Sequence, residues 1–236
     1  MTSLTNSVAP PDGVETFAPL QSTTDFEWSG QQWKAKEVAS QGPGPNRWHR
    51  SAVHLGDQGS LKLTVAKNNA DQWQCAEVVR QGKTGYGTYS FTTTTSVLPP
   101  NDQSVLGLFT YQHNTPREGY EEIDIEYSHW AKPGTGPGSI TIHKPDPSWT
   151  REFRVDETGP MTHLFVWAPG YVRWRIVSDG TGEVVHERSL WGRDVPRYAD
   201  ARMHMNLWLI GGVAAGQQKP FEVTFSSASW TPLPGG

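Results

Sequence analysis

Short runs rich in Val, Ile, Thr and aromatic residues recur along this chain, each closed by Gly, Pro, Asn or Asp. They include "SLKLTVA" (60–66), "CAEVVRQ" (75–81), "GTYSFTTTT" (87–95), "SVLGLFTY" (104–111), "EIDIEYS" (122–128) and "SITIHK" (139–144). "HLFVWA" (163–168), "YVRWRIVS" (171–178), "RMHMNLWL" (202–209) and "FEVTFSSASW" (221–230) continue the series. Each has the length and composition of a strand. Segments such as "PGTGPG" (133–138), "APG" (168–170) and "SDGTG" (178–182) supply turns between them. No long window carries an apolar 3.6-residue period. The pattern predicts an all-β chain folded as a two-sheet β-sandwich. Residues 25–236 read as one domain, and the polar, Pro-containing residues 1–24 as a flexible N-terminal arm.

Eleven Trp, seven Tyr and eight Phe make much of the apolar surface aromatic, which suits a core with stacking faces left over. The net charge is −4, and no basic run of five or more occurs, so neither nucleic acid nor an anionic membrane is an expected partner. Cys75 is the single cysteine and reads as a small buried residue rather than a reactive thiol. The first residues lack a basic stretch followed by an apolar one, and no segment approaches the roughly 20 apolar residues of a spanning helix. The chain therefore shows no signal peptide and no anchor; an extracellular location would imply a signal already removed.

The run "EGYEEIDIEYSHW" (118–130) places Glu122, Asp124 and Glu126 at two-residue spacing, with Ile123, Ile125 and Tyr127 between them. In a strand the acids share one face and the apolar residues the other. Successive acids lie roughly 6.5–7 Å apart along the backbone, and like charges at that range raise one another's pKa. A retaining glycosidase uses such a conflict: one ionised carboxylate as nucleophile and one protonated carboxyl as general acid, about 5–5.5 Å apart. Cα atoms four residues apart are about 13 Å apart in an extended strand, so the two Glu side chains must lean together across a concave sheet. Asp124 is expected to hydrogen-bond one of them. The aromatic flanks Tyr120, Tyr127 and Trp130 are of the kind that stack on sugar rings; alternatively, E-x-D-x-E is a solvated strand face.

"EEIDIEYSHW" resembles the active-site strand of glycoside hydrolase family 16, the jelly-roll (concanavalin A-like) endoglucanases that include lichenases and laminarinases. The likeness extends over about residues 25–232 through "TGYGTYSF", "LGLFTY", "THLFVWAPGYVRWRI", "MHMNLWLIGG" and "PFEVTFSSASW". The resemblance implies Glu122 as nucleophile, Glu126 as general acid/base and Asp124 as their assistant. It also implies Phe109, Tyr111, Asn206 and Trp208 as cleft residues, Glu77 as a binder of sugar hydroxyls, and Asn46 and His143 as polar cleft residues. The departures are "YSHW" after the acids, Val79 where many lichenases have Arg, and no W-x-G after "MNLW". The nearest Arg, Arg80, is expected on the opposite side of its strand. These departures bear on substrate rather than chemistry.

Trp130 and Trp208 are candidate stacking platforms, whereas Trp167 and Trp174 read as core. The eight His show no metal-ligand spacing, so no catalytic metal and no organic cofactor is implied; a structural Ca²⁺ is not readable from the sequence. The expectation is a monomeric retaining endo-glycosidase acting on a β-1,3/1,4- or β-1,3-linked glucan, as polysaccharide or oligosaccharide. Its rivals are a transglycosylase and a non-catalytic carbohydrate-binding domain on the same scaffold.

Overall fold

The computed structural model describes residues 14–112, 122–132, 137–143, 148–156, 158–197, 201–212 and 219–234. Residues 1–13 of the N-terminal arm, Tyr120 and most of the "PGTGPG" turn lie outside them. In chain order the strands begin with β1 (Phe17–Pro19), β2 (Asp25–Trp28), β3 (Gln31–Ala35), β4 (Val38–Gln41), β5 (Asn46–Trp48) and β6 (Val53–Gly56). Next come β7 (Leu61–Lys67), β8 (Trp73–Gln74), β9 (Ala76–Arg80), β10 (Gly87–Thr93), β11 (Ser104–Tyr111), β12 (Ile123–Tyr127) and β13 (Gly138–Ile142). The last are β14 (Trp149–Phe153), β15 (Met161–Ala168), β16 (Tyr171–Ser178), β17 (Val184–Trp191), β18 (Arg202–Leu209) and β19 (Phe221–Pro232).

Two large antiparallel sheets form the sandwich. The outer sheet runs β1-β6-β7-β19-β10-β15-β16-β17, with β8 attached to β7; the inner sheet runs β14-β13-β12-β11-β18-β9-β3-β2. A short β4–β5 hairpin stands apart. Phe17–Pro19 pairs with β6, so part of the stretch expected to be a loose arm is an edge strand of the outer sheet.

The outer sheet follows simple alternation. In β15 the residues Met161, His163, Phe165 and Trp167 are buried and their neighbours half-buried, and β10 and β16 do the same. The inner sheet is different. Strands β11, β12, β13 and β18 are buried on nearly every residue, but one face is apolar and the other carries Asp124, Ser139, Thr141, His204 and Asn206, joined by Glu77 of β9. The apolar face meets the outer sheet, where Trp167 and Trp174 are fully buried as expected. The polar face lines a cleft.

Tyr127 joins the two layers. Its hydroxyl lies 2.8 Å from Nδ1 of His163, whose Nε2 lies 3.2 Å from the Thr93 hydroxyl. Burial pushes the His163 imidazole down to about 3, so it is neutral in the folded state. The unfolded chain takes up this proton below pH ~6.5 while the folded one does not until about 3, so stability is lost as pH falls through that window. Replacing His163 by Gln is therefore expected to flatten the acid side of the stability curve by a few kcal/mol between pH 6.5 and 4. Urea melts of both proteins across that range test this; parallel curves would contradict it.

Candidate active site

The strand β12 is anchored from below. Ile123, Ile125 and Tyr127 are fully buried between the sheets, so pleat alternation leaves Asp124 and Glu126 no direction but the concave face. Pairing then builds two rows across that face. One reads Ser139, Glu126, Gly107, Asn206, Glu77; the other reads Thr141, Asp124, Phe109, His204, Val79. Gly107 sits between Glu126 and Asn206, and a Cβ there would lie 2.5 Å from Asn206 Oδ1. The missing side chain is what lets these two polar groups share the floor.

A cleft of about 560 Å³ opens over these rows. Glu122, Asp124, Glu126, Glu77, Phe109, Tyr111, Trp130, His143, Asn206 and Trp208 all line it. Trp130 and Trp208 meet edge-to-face at 6.4 Å. Phe109 stacks on His204 at 4.9 Å. Arg80 turns away, its Nε donating to Gln31 and its guanidinium 5.4 Å from the Trp230 ring on the outer sheet. Val79 therefore leaves the cleft without the arginine that the resemblance would place there.

Asn46 is a correction. Fully buried, it does not line the cleft. Its Nδ2 donates to the carbonyls of Pro43 (2.6 Å) and Leu209 (2.9 Å), and its Oδ1 accepts from Leu209 N and Cys75 Sγ. It staples the β4–β5 hairpin to the end of β18. That hairpin carries Gln41, Gly42 and Pro43, which line the cleft together with Lys36. The Cys75 thiol, pushed up to about 12 by burial, is a buried structural group as read.

Two electrostatic environments coexist. Burial would raise Glu77, but a hydrogen bond from His204 Nδ1 at 3.1 Å, the charge of His204 and Lys36 Nζ at 2.9 Å outweigh it, so the carboxyl ends below its ordinary value. Glu122, Asp124 and Glu126 go the other way. Burial, then the charges of Glu126 and Glu77, push Glu122 up to about 8; burial pushes Glu126 up to about 7; and burial, then its two neighbours, holds Asp124 well above the usual range. Near neutral pH the cluster thus holds shared protons.

Asp124 was expected to bond a glutamate. Its Oδ2 instead lies 3.3 Å from His143 Nε2 and, among the described residues, has no hydrogen-bond partner, and neither has Asn206 Oδ1. Buried polar atoms without partners are rare, and here both face the cleft. Among the described residues, Glu122, Asp124 and His143 bring one ligand atom each within 4.8 Å of one another, a group that sequence spacing did not offer. His204 and Lys36 were also missed: His204 shares the alternation of Asn206 and Trp208 and could have been found, whereas Lys36 follows β3 and carries no motif.

No family model matches the chain. It is 25% identical over 221 residues to a β-glucanase of Paenibacillus macerans, covering 89% of this chain and 83% of that one. The chain is similar in sequence to bacterial β-glucanases. A β-glucanase of Paenibacillus polymyxa is 24% identical over 198 residues, or 79% and 74% of the two chains. The solved structure of the Bacillus licheniformis β-glucanase superposes with a TM-score of 0.64 at 19% identity, covering 94% of this chain and 99% of that one. The jelly-roll fold of those enzymes is the fold found here.

Loss of the Asn46 staple leaves the backbone N–H and C=O of Leu209 without their partner, which costs about 1–3 kcal/mol. Asn46→Ala is expected to lower stability by that amount in urea denaturation. An unchanged midpoint would show that the hairpin is held by something else.

Proposed function

We propose that the chain is a retaining endo-glycosidase that hydrolyses a β-1,3/1,4- or β-1,3-linked glucan. The observation that carries this is the set of three carboxyl groups on alternate residues, Glu122 just before β12 and Asp124 and Glu126 on it, all in one aromatic-lined cleft and all displaced upward in pKa. A fold alone does not give an activity; paired carboxyls that share protons do the work of this reaction.

In the first step the ionised Glu122 forms a bond to the anomeric carbon. The bond from that carbon to the glycosidic oxygen breaks, and the oxygen takes the proton of Glu126. In the second, the Glu126 carboxylate takes a proton from water, the water oxygen bonds to the anomeric carbon, and Glu122 leaves as carboxylate. Two displacements retain configuration. The roles come from the resemblance, not from the order of the two pKa values: the pair shares one charge, and bound substrate decides which member holds it. Asp124 serves as a protonated neighbour that adds no second negative charge beside the nucleophile. Glu77, kept ionised by Lys36 and His204, and Asn206 Oδ1 are acceptors for sugar hydroxyls, while Trp130, Trp208 and Phe109 offer ring faces. The missing arginine at Val79 favours a sugar recognised by stacking and neutral hydrogen bonds on that side. The same site serves a transglycosylase if a sugar hydroxyl replaces water, and product sizing with an added oligosaccharide acceptor separates the two.

Reducing-sugar release from mixed-linkage and β-1,3-glucans tests this. Glu122→Ala and Glu126→Ala are each expected to lose about 10³-fold or more in turnover. The wild-type rate is expected to fall as pH rises through about 7 to 8, where the pair gives up its shared proton. Full activity in either variant, or a rate that falls only below pH 5, would overturn the roles.

A further inference from the structure

On the outer sheet, β16 turns Val172, Trp174 and Ile176 into the core and Tyr171, Arg173 and Arg175 outward. Its partner β17 ends at Trp191, which lies opposite Tyr171, with Ser189 opposite Arg173 and Glu187 opposite Arg175. This strip is on the far side of the sandwich from the cleft, which opens on the inner sheet. Trp191 is 71% exposed, the largest departure from apolar burial among the described residues.

The indole is held in place. Its ring centroid is 4.0 Å from that of Tyr171 at a tilt of 36°. The Tyr171 hydroxyl lies 3.4 Å from that of Ser189. Gly192 N–H donates to Gly170 O at 2.9 Å, and both glycines have positive φ, so the backbone next to each ring is closed by a fixed turn. Beside the rings, Arg173 and Arg175 are each drawn to Glu187 at 2.7 Å. A guanidinium has five N–H groups, more than these contacts engage.

We propose that the outer face of Trp191, backed by Tyr171, is a second, non-catalytic glucan-binding platform, with Arg173 and Ser189 as hydroxyl partners. The proposal rests on the reading of the cleft as a glucanase site. Size selects the occupant. Among the described residues the aromatic part of the strip is these two rings; the other exposed large hydrophobics are Val14 and Val184, the latter at the opposite end of β17. A stable protein partner needs about 800 Å² on each side with an apolar centre, and this patch has no such centre. One ring face matches one pyranose. A β-linked glucose unit keeps its hydroxyls equatorial and its C–H bonds axial, so its flat faces are apolar and its rim is polar, as here. A polymer that enters the cleft is long enough to be held at a second point, and tethering then raises its local concentration at the cleft.

The test is retardation of the full chain in native gels containing mixed-linkage glucan, beside kinetics on that polymer and on its tetrasaccharide. Trp191→Ala and Tyr171→Ser are expected to weaken retardation about tenfold and to lower the ratio of kcat/KM on polymer to kcat/KM on tetrasaccharide threefold or more. Trp191→Tyr, which keeps a flat ring, should restore most of both. Retardation and ratio equal to wild type in both disruptive variants would overturn the second site and leave the cleft reading intact. A wild-type chain that neither cleaves nor binds glucan would overturn both.

Discussion

Three carboxyl groups are crowded onto one face of β12 and the residue before it, and much of the rest of the molecule can be understood as what makes that tolerable. Ile123, Ile125 and Tyr127 hold β12 down against the outer sheet, so the acids cannot escape their shared face without pulling large side chains out of the core. The conflict is relieved by protons. Folded, the acids keep protons that the unfolded chain has released above pH ~4.5, so this part of the molecule loses stability as pH rises from there to about 8. His163 on the outer sheet has the opposite sign, losing stability toward acid. The fold is thus squeezed from both sides, with one cause in the cleft and the other in the core.

Glu77 shows how the same residue type is used differently a few strands away. It is more deeply buried than Glu126, yet Lys36 and His204 hold it ionised. A fixed anion in the floor of the cleft raises Glu122 further while remaining a hydrogen-bond acceptor. Lys36 is itself steadied over the Trp48 ring at 4.3 Å, and Trp48 belongs to the hairpin that Asn46 staples. The electrostatics of the floor and the packing of the cleft wall are therefore one connected structure rather than separate features.

Many inner strands were legible because burial forces their composition: β11, β16 and β18 match the ranges read from alternation, whereas β3 and β6, next to the edges, were not read. The edges were not. Phe17–Pro19, Asp25–Trp28, Trp149–Phe153 and Val184–Trp191 end the two sheets, and they carry Pro or charges, as edge strands do when they avoid pairing with other chains. That chemistry looks like loop. In the cleft, residues on strands were readable by period and resemblance, whereas Gln41, Gly42 and Pro43 arrive on a hairpin whose placement depends on long-range bonds from Asn46. Asn46 follows the cleft-lining Gln41, Gly42 and Pro43 closely in sequence, but it opens β5 and its amide is consumed by Leu209 and Pro43. Only coordinates separate a residue that touches substrate from one that holds the wall.

The central claim is that Glu122 becomes covalently bonded to the sugar. A 2-deoxy-2-fluoro glucoside with a good leaving group slows the second step more than the first, so the intermediate accumulates and can be digested for mass spectrometry. The account predicts one equivalent of sugar on the peptide spanning β12, with fragment ions placing it on Glu122. A label on Glu126 or Asp124, or turnover with no adduct and inverted configuration, would contradict it.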